Sequence, residues 1–295
     1  MDNHIWRFDM EYSLLAVDLD GTLFNNDREI DQETIDAIHT YRNRGGKVVI
    51  CSGRSPLSTK WISETIGLHE PIIAYNGAVL IDEDGQTIEQ ARFSQQAILT
   101  FLDICQSNGI YTHLYEGDIL LVPERNKWNL RWIEKNIPAL ERSGGKAEIC
   151  AKYRNQCSVK HVEDLRGYIE ETNPDITKMA VFQEEGSLHS FSALLKKQAT
   201  DLEISSSFDF VNLEISPAGI TKGAALIKLV EHLGLHMSQV AAIGDNYNDL
   251  VMIETAGLGI AMGNAPEKVK HAADAVTETN SNGGVAKAIE NYLLK

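Results

Sequence analysis

LLAVDLDGTL, residues 14–23 of the chain, is the most informative stretch of the sequence. Its first part, Leu14–Val17, is a continuous apolar run, which is typical of a strand buried on both faces of a parallel sheet. Two carboxylates, Asp18 and Asp20, follow where that strand should end, and Gly21 permits a sharp turn. Two acids that project into one cleft repel each other, so the pair suggests a bound cation. Taken alone, the stretch is explained equally well as an Asp-Gly turn after a strand.

The segments on either side of the middle of the chain alternate between buried strands and amphipathic helices. Besides the first strand, the apolar runs predict strands at Val48–Cys51, Ile72–Tyr75, Val240–Ile243 and Leu258–Met262. Helices are predicted after Asp31 as an N-cap, over Thr221–Leu233, and from about Val285 to Leu294. Strands and helices that alternate with short connections are typical of βαβ units. The predicted fold class is therefore α/β, with a Rossmann-like parallel sheet as the core.

Residues 86–212 show a different pattern, in which apolar and polar residues alternate more regularly. Two helices are predicted there, Gln95–Ser107 and Ser187–Lys197. The predicted strands are Ile110–Tyr115 and Ile119–Val122 as a hairpin, Ile176–Phe182, and a pair, Leu202–Ile204 and Phe208–Ile215, joined by Ser205–Ser207. Antiparallel strands with helices indicate an α+β module. We therefore predict a core formed by residues 1–85 and 213–295, with residues 86–212 as an inserted domain.

Composition and charge exclude some classes of function. The 295 residues carry a formal net charge of −15, and the pI is about 5.0. This balance argues against non-specific binding of nucleic acid and against docking on anionic membranes. The four cysteines form no CxxC pair, so we expect free thiols in a reducing compartment. Because the first residues do not resemble a signal peptide and no stretch approaches a transmembrane helix in length, we expect a cytoplasmic protein.

Three more groups of polar residues follow predicted strands or begin a predicted helix. They are Ser52-Gly53-Arg54, Thr221-Lys222-Gly223 and the run from Gly244 to Asp249. A hydroxyl, a guanidinium, and an ammonium at a helix N-terminus can all bind phosphate oxygens, and carboxylates suit a hard divalent cation. Taken singly, the first two groups are more simply explained as an N-cap with a surface arginine and as a solvated lysine. However, ligands of open α/β sheets bind at this edge, which favours one common site.

In their order and their placement at strand ends, these groups resemble the motifs of the haloacid dehalogenase (HAD) superfamily. The resemblance places Asp18–Leu23 in the first motif, Ser52 in the second, Lys222 in the third, and Gly244-Asp245 with Asn248-Asp249 in the fourth. Two further stretches, Asn76-Gly77-Ala78 and Glu214–Pro217, resemble the Cof-type branch, subfamily IIB. The resemblance covers nearly the whole chain after residue 12. It implies a HAD-like core with an inserted α+β cap of the C2 type.

The resemblance implies a Mg²⁺-dependent phosphatase that acts on a small phosphorylated metabolite, either a sugar phosphate or a phosphorylated cofactor. Asp18 would attack phosphorus and form an aspartyl-phosphate, while Asp20 would serve as general acid and then as general base. Mg²⁺ would be bound by the Asp18 carboxylate, the Asp20 backbone carbonyl and Asp245. The implied assembly is a monomer or a homodimer.

Further residues are assigned to the substrate by the same resemblance. The backbone N–H groups after Asp18, beginning with Leu19, would bind phosphoryl oxygens together with Ser52 and Lys222. Asn248 would contact the phosphate or a metal-bound water, and Asp249 would orient Lys222. The substrate would also be contacted by Gly53, Arg54 and Asn76. In the cap, the side chains that could line the site are those of Tyr111, His113, Trp128 and Trp132, although packing inside the cap explains the two tryptophans more simply.

Two alternative functions remain open. One is a phosphotransferase that passes phosphate to another sugar, as the related phosphomannomutases do. The other is a metabolite-sensing module with low turnover, although such a module would not need to retain Asp18, Asp20, Lys222 and Asp245. Dehalogenation is disfavoured because a halide leaves without a proton, whereas an alkoxide benefits from an acid such as Asp20.

Overall fold

The structure is a computed structural model that describes residues 10–131, 158–183, 188–207 and 211–295. In chain order, the strands in these ranges are β1 Leu14–Val17, β2 Lys47–Cys51, β3 Ile72–Ala74, β4 Val79–Ile81, β5 Thr87–Gln90, β6 Tyr111–Glu116, β7 Ile119–Val122, β8 Ser158–His161, β9 Ile176–Phe182, β10 Leu202–Ser207, β11 Asn212–Pro217, β12 Val240–Gly244, β13 Leu258–Ala261 and β14 Ala275–Val276. The α-helices are α1 Gln32–Asn43, α2 Pro56–Thr65, α3 Gln95–Ser107, α4 Lys127–Arg131, α5 Leu165–Thr172, α6 His189–Gln198, α7 Lys222–His232, α8 Leu250–Thr255, α9 Glu267–Ala272 and α10 Gly284–Ala288.

The chain divides into two compact units, residues 1–50 with 226–295 and residues 51–225. The predicted boundaries of the core and the inserted domain, at 85/86 and 212/213, stay a prediction beside this division.

The first unit is built on parallel strands in the order β14-β13-β12-β1-β2. In the middle of this sheet β1 has parallel neighbours on both sides, with Val17 opposite Ile243 of β12 and Ile50 of β2. All four residues of β1 are fully buried, as the continuous apolar run predicts. The α/β fold class is therefore confirmed, and the carboxyl ends of these strands share one edge of the sheet.

Helix α1 shows how the sequence pattern fixes a buried face. Its buried residues, Thr34, Ala37, Ile38 and Tyr41, recur at the spacing of one helix side. The predicted N-cap, Asp31, occupies that position without a capping hydrogen bond, because its side chain accepts one from Asn25 Nδ2 at 2.9 Å. The position of the helix start was thus predictable, but its capping partner was not.

The second unit contains a short antiparallel meander, β3-β4-β5, and a larger sheet in the order β10-β11-β9-β6-β7-β8. Neighbouring strands of the larger sheet are antiparallel except for the parallel pair β7–β8. Helices α3, α5 and α6 contribute Phe101, Ile169 and Leu195 to the same apolar cluster as Met179 and Val181 of β9. One face of this sheet is therefore packed by helices, in agreement with the α+β pattern of the middle region.

Two predicted strands differ from the structure. The serines at 205–207 were predicted as a turn, but they belong to β10, where Ser205 lies opposite Glu214 of β11. The buried Ser206 hydroxyl donates to the Asn212 carbonyl at 3.2 Å, which satisfies a polar side chain inside the pair. The predicted strand Ile72–Tyr75 ends at Ala74, because Tyr75 has a positive φ of 50°.

Some predictions fall on residues outside the described ranges. These are the helix start at Ser187, the strand start at Phe208, and any role for Trp132, Cys150 or Cys157. Cys51 and Cys105 are buried free thiols, and the reducing compartment stays a prediction. Within the described ranges, no helix combines the length and the apolar character needed to cross a bilayer.

Candidate active site

Three carboxylates of the first unit converge beyond the carboxyl ends of β1 and β12. One oxygen from each of Asp18, Asp245 and Asp249 lies within 4.8 Å of the others. Strand pairing produces this convergence, since the Asp18 N–H donates to the Ile243 carbonyl at 3.0 Å and Asp245 comes two residues later in the chain. Asp18 is 5% exposed and Asp249 is fully buried, so their negative charges lie largely out of water. Three carboxylate oxygens at this spacing could hold a metal ion, and oxygen ligands suit a hard divalent cation.

Asp245 is held in place by residues of the turn that follows β1. Thr22 Oγ1 donates to Asp245 Oδ1 at 3.1 Å. Gly21 has a φ of 86°, and a Cβ there would lie 2.3 Å from Asp245 Oδ2. The glycine is therefore needed both for its backbone conformation and for the space that the carboxylate occupies.

Asp249 organises the loop that carries Asp245. Its Oδ2 accepts the backbone N–H groups of Asp245 and Asn246, both at 3.0 Å. A Cβ at Gly244 would lie 2.5 Å from the Asp249 Cβ, so this glycine allows the close approach. One oxygen of Asp249 is thus engaged by the loop backbone. The predicted orientation of Lys222 by Asp249 stays a prediction.

The predicted metal ligands overlap with this cluster only in part. Asp18 and Asp245 belong to it, whereas the Asp20 carboxylate does not. The role predicted for Asp20 in metal binding uses its backbone carbonyl, and its side chain is predicted to move protons. Asn248 follows in the same loop as Asp245 and is half-buried.

Sequence reasoning missed Asn264, which contacts both sides of the acidic cluster. Its Nδ2 donates to the Gly21 carbonyl at 2.8 Å and lies 3.4 Å from Asp245 Oδ2. Its Oδ1 accepts the N–H of Asn280 at 2.9 Å, and Asn280 Nδ2 in turn donates to the Phe24 carbonyl at 2.8 Å. Asn264 is the third residue after β13, and this placement at a strand end was the available signal.

In the second unit, the loop that follows β2 forms a tight set of backbone hydrogen bonds. Ser52 is 1% exposed; its N–H donates to Ile73 at 2.8 Å, and its carbonyl accepts the N–H of Asn76 at 2.9 Å. The Arg54 N–H donates to Ser52 Oγ at 3.1 Å, and the Arg54 carbonyl accepts the N–H of Tyr75 at 2.9 Å. The predicted residues Ser52, Arg54 and Asn76 are therefore brought together.

Lys178 and Glu214 adjoin this loop, and neither had been predicted as a site residue. Lys178 Nζ donates to the Gly53 carbonyl at 2.7 Å and to Glu214 Oε1 at 2.5 Å. Glu214 Oε2 accepts from Asn76 Nδ2 at 2.7 Å. Glu214 begins the stretch Glu214–Pro217 that the family resemblance singles out, but its contact with Lys178 depends on the pairing of distant strands.

Lys222, a predicted phosphate ligand, is fully buried at the first position of α7. The residue before it, Thr221, caps the helix, since its Oγ1 accepts the Ala224 N–H at 3.1 Å. A buried ammonium beside the positive end of a helix dipole favours a nearby anion.

The face of the larger sheet away from its helices carries aromatic side chains. His113 Nε2 lies 2.9 Å from the Tyr115 hydroxyl, and burial, followed by the charge of Lys178, lowers the His113 pKa to about 3, so the ring is neutral at physiological pH. Trp128 stacks on Phe182 with ring centroids 5.2 Å apart. These two rings and Tyr111 line a cavity of about 330 Å³. Trp128 and Tyr111 therefore both border open space inside the second unit.

Comparison with known proteins gives matches over nearly the whole chain. The model of the haloacid dehalogenase-like hydrolase family matches residues 15–289. A 5-amino-6-(5-phospho-D-ribitylamino)uracil phosphatase of Bacillus subtilis, YcsE, is 30% identical, over 98% of this chain and 99% of its own length.

Solved structures match over similar lengths. A haloacid dehalogenase-like hydrolase from B. subtilis has a TM-score of 0.79 and 29% identity, covering 95% of this chain and 100% of its own. A sugar phosphatase of HAD subclass IIB has a TM-score of 0.76 and 22% identity, covering 95% and 98%. At 22% identity, the similarity to this sugar phosphatase shows a shared fold alone.

Proposed function

The chain belongs to the haloacid dehalogenase-like hydrolase family, and from this premise we propose that it is a Mg²⁺-dependent phosphatase of a small phosphorylated metabolite. The observation that carries the proposal is the convergence of Asp18, Asp245 and Asp249 beyond the central strands of a parallel sheet. A nucleophilic carboxylate beside a cation site is the arrangement that transfer of a phosphoryl group to an aspartate requires.

In the proposed reaction, an Asp18 carboxylate oxygen attacks phosphorus and forms an acyl–phosphate bond as the ester P–O bond breaks. Asp20 gives its proton to the leaving alkoxide. Asp20 then takes a proton from the attacking water, whose oxygen bonds to phosphorus and releases the Asp18 carboxylate. Each step balances, and the products are an alcohol and inorganic phosphate.

The donor set around Asp18 fits Mg²⁺, because it consists of oxygens alone. The Asp18 and Asp245 carboxylates and the Asp20 carbonyl would hold the ion. Bound there, Mg²⁺ would supply positive charge that offsets the carboxylates and the phosphate. Asp249 would support the site from the loop backbone, where its Oδ2 already accepts two N–H groups.

Phosphoryl oxygens would be bound by Ser52, Lys222 and the backbone N–H groups from Leu19 onward, with Asn248 beside the phosphate or a metal-bound water. Ser52 is the second residue after Ile50, which pairs with Val17 directly before Asp18. Arg54, Gly53 and Asn76 are proposed to contact the substrate. These residues position the phosphate and stabilise the charge that develops on it.

We propose a sugar phosphate or a phosphorylated cofactor as the substrate. The relative YcsE is named for a phosphorylated ribitylamino-uracil, which combines a sugar-like chain with a planar ring. We propose that the cavity lined by Tyr111, Trp128 and Phe182 receives such a ring, against the ring faces that Trp128 and Phe182 do not turn toward each other. A panel of phosphorylated metabolites that includes this compound, ranked by kcat/KM with Mg²⁺, would identify the substrate class.

The variant Asp18→Asn tests the proposal most directly. We expect kcat for phosphate release to fall by at least about a thousandfold, since an amide is a poor nucleophile. The melting temperature should stay close to that of the wild type. Asp84→Asn, at an exposed turn, is the matched control and should retain full activity.

Three outcomes would contradict or redirect the proposal. Unchanged release in Asp18→Asn would rule out the aspartyl-phosphate. Release that depends on an added sugar acceptor would indicate a phosphotransferase. Tight binding of a metabolite without turnover in the wild type would indicate a sensor.

A further inference from the structure

Glu214 lies at the centre of a buried polar network in the second unit. It is on β11, opposite Ala180 of β9, so Lys178 is its diagonal neighbour on the same face of the sheet. The side chains of Lys178 and Glu214 are 4% and 15% exposed. Burying two charges costs desolvation free energy. The other hydrogen bonds that Lys178 and Glu214 make therefore indicate what the buried pair holds in place.

Both groups bound to the Glu214 carboxylate also contact the loop Ser52-Gly53-Arg54. Lys178 Nζ, on Oε1, donates to the Gly53 carbonyl at 2.7 Å. Asn76 Nδ2 is on Oε2, and the Asn76 backbone N–H donates to the Ser52 carbonyl at 2.9 Å. Glu214 therefore links Lys178, whose side chain donates to the Gly53 carbonyl, with Asn76, whose backbone N–H donates to the adjacent Ser52 carbonyl.

The backbone around the network carries two signs of constraint. Tyr75 and Asn76 have φ values of 50° and 55°, a left-handed conformation that asparagine tolerates but that is costly for tyrosine. A Cβ at Gly53 would lie 2.7 Å from Glu214 Oε2 and 3.0 Å from Asn76 Oδ1, so the loop passes directly against the network. Residues in such conformations persist where the surroundings hold them, commonly near functional sites.

The charge of the network is balanced internally. The Lys178 ammonium faces the Glu214 carboxylate and lies 5.3 Å from the ring centroid of Tyr115 and 5.8 Å from that of Tyr75. Burial, reinforced by the negative charge of Glu214, raises the pKa of Tyr115, which keeps its phenol protonated. A neutral network can therefore adjoin a loop that binds an anion without repelling it.

We infer that Glu214 is a positioning residue: acting through Lys178 and Asn76, it holds the Ser52-Gly53-Arg54 loop in the conformation that binds the substrate phosphate. The inference rests on the proposed function for its catalytic consequence. The mechanical part, that Glu214 holds the loop, stands on the contacts alone. Glu214 itself touches neither the phosphate nor the metal in this assignment.

Hydrogen exchange of Glu214→Gln tests the mechanical part without reference to activity. The amide nitrogen of the glutamine is a donor, and it faces either the Lys178 ammonium or the Asn76 Nδ2 donor. One of the two hydrogen bonds that hold these residues against the loop is therefore lost. We expect peptides that cover residues 50–57 and 73–78 to exchange at least about tenfold faster, with α3 of the same unit unchanged. Unchanged exchange in these peptides, or equal acceleration in α3, would overturn the inference.

Kinetics test the catalytic consequence. A mispositioned loop should raise KM for a phosphate monoester and Ki for inorganic phosphate, lowering kcat/KM by about 10–100-fold. A merely stabilising role would lower the active fraction, which reduces kcat and leaves KM and Ki unchanged. The exposed ion pair Arg92–Asp175 provides the control Asp175→Asn, which should alter neither constant.

A double variant covers the case in which the single variant folds poorly. Lys178→Met with Glu214→Gln leaves no unpaired buried charge, so the melting temperature should recover relative to Glu214→Gln. The raised KM and Ki should persist, because the Gly53 carbonyl is no longer held. Recovery of both constants would overturn the inference. A wild type without phosphatase activity would instead count against the proposed function, while the exchange result would still decide whether Glu214 holds the loop.

Discussion

Gly21 connects the backbone of the first turn to the geometry of the acidic cluster. Two separate constraints require glycine there: the positive φ, and the Asp245 carboxylate, which occupies the space of a Cβ. Gly45 has a positive φ without such a neighbour. Gly45 has a φ of 98°, and a Cβ there would meet nothing within 4 Å. Comparing the two positions separates backbone strain from displacement of the carboxylate.

We predict that Gly21→Ala abolishes most Mg²⁺-dependent phosphatase activity, because the new methyl group overlaps the Asp245 carboxylate. Gly45→Ala should cost about 1–2 kcal/mol in the free energy of unfolding, from strain alone, and retain its activity. Urea unfolding and kcat measured at saturating Mg²⁺ would check both variants. Equal activity in the two variants would mean that the position of Asp245 is not critical.

At the scale of elements, helix α2 begins with help from a distant hairpin. Ser55 is its N-cap and accepts the Ser58 N–H at 3.3 Å, and Pro56 occupies the first turn. The next backbone N–H, that of Leu57, donates to Asp118 Oδ1 at 3.0 Å. Asp118 lies in the turn between β6 and β7, so this hairpin fixes the start of a helix that follows the Ser52-Gly53-Arg54 loop directly.

Asp118 makes two opposing contributions to the free energy of unfolding, one from its hydrogen bond with Leu57 and one from the desolvation of its carboxylate. Two substitutions can separate them. Burial raises its pKa, and the hydrogen bonds from Leu57 and Ser55 lower it by less. A raised pKa means that the folded state binds the proton more tightly, so stability falls as the pH rises from the unfolded value of 3.8 through the folded one. At neutral pH the ionised group therefore carries a desolvation cost.

We predict that Asp118→Asn, which keeps the acceptor for Leu57, is more stable than the wild type at pH 7. The advantage should shrink as the pH is lowered through the same window. Asp118→Ala should lose about 1 kcal/mol relative to Asp118→Asn, since the helix N-terminus loses an acceptor. Urea unfolding at several pH values would check this order, and a constant difference between Asp118→Asn and the wild type would contradict it.

Elements with strong local patterns could be predicted closely, whereas contacts between elements could not. Helix α3 and strand β9 have the predicted bounds, Gln95–Ser107 and Ile176–Phe182, because periodicity and capping are encoded locally. The serines of β10 were misassigned because their pairing with β11 outweighs their local preference for a turn. Glu214 begins a stretch that the family resemblance singles out, but its contact with Lys178 depends on the register between β9 and β11. Asn264 is a single polar residue after a strand, and only that placement pointed to it.

At the scale of the whole molecule, two sources of cation dependence must be separated. The chain carries a net charge of −15, so any salt should relieve some of its self-repulsion. A specific Mg²⁺ site adds a second effect, because an ion that binds the folded state alone stabilises it by mass action. The residues of the acidic cluster lie within the first unit, residues 1–50 and 226–295, and this restricts where the specific effect can act.

We predict that Mg²⁺ at about one hundred times its Kd stabilises the wild type by about 2.7 kcal/mol at constant ionic strength. Asp245→Asn should lose this gain while keeping the response to NaCl, because it removes a proposed ligand and only one of many charges; Asp84→Asn, with the same change in charge, should keep both. Should the two units unfold in separate calorimetric transitions, Mg²⁺ should shift only the transition of the unit that contains Asp18 and Asp245. If NaCl reproduces the stabilisation, or if it persists in Asp245→Asn, the effect of Mg²⁺ is general charge screening. That result would contradict the proposed Mg²⁺ site. A gain that depends on Asp245, in a protein whose activity is lost on chelation and regained with Mg²⁺, would tie stability and catalysis to the same ion.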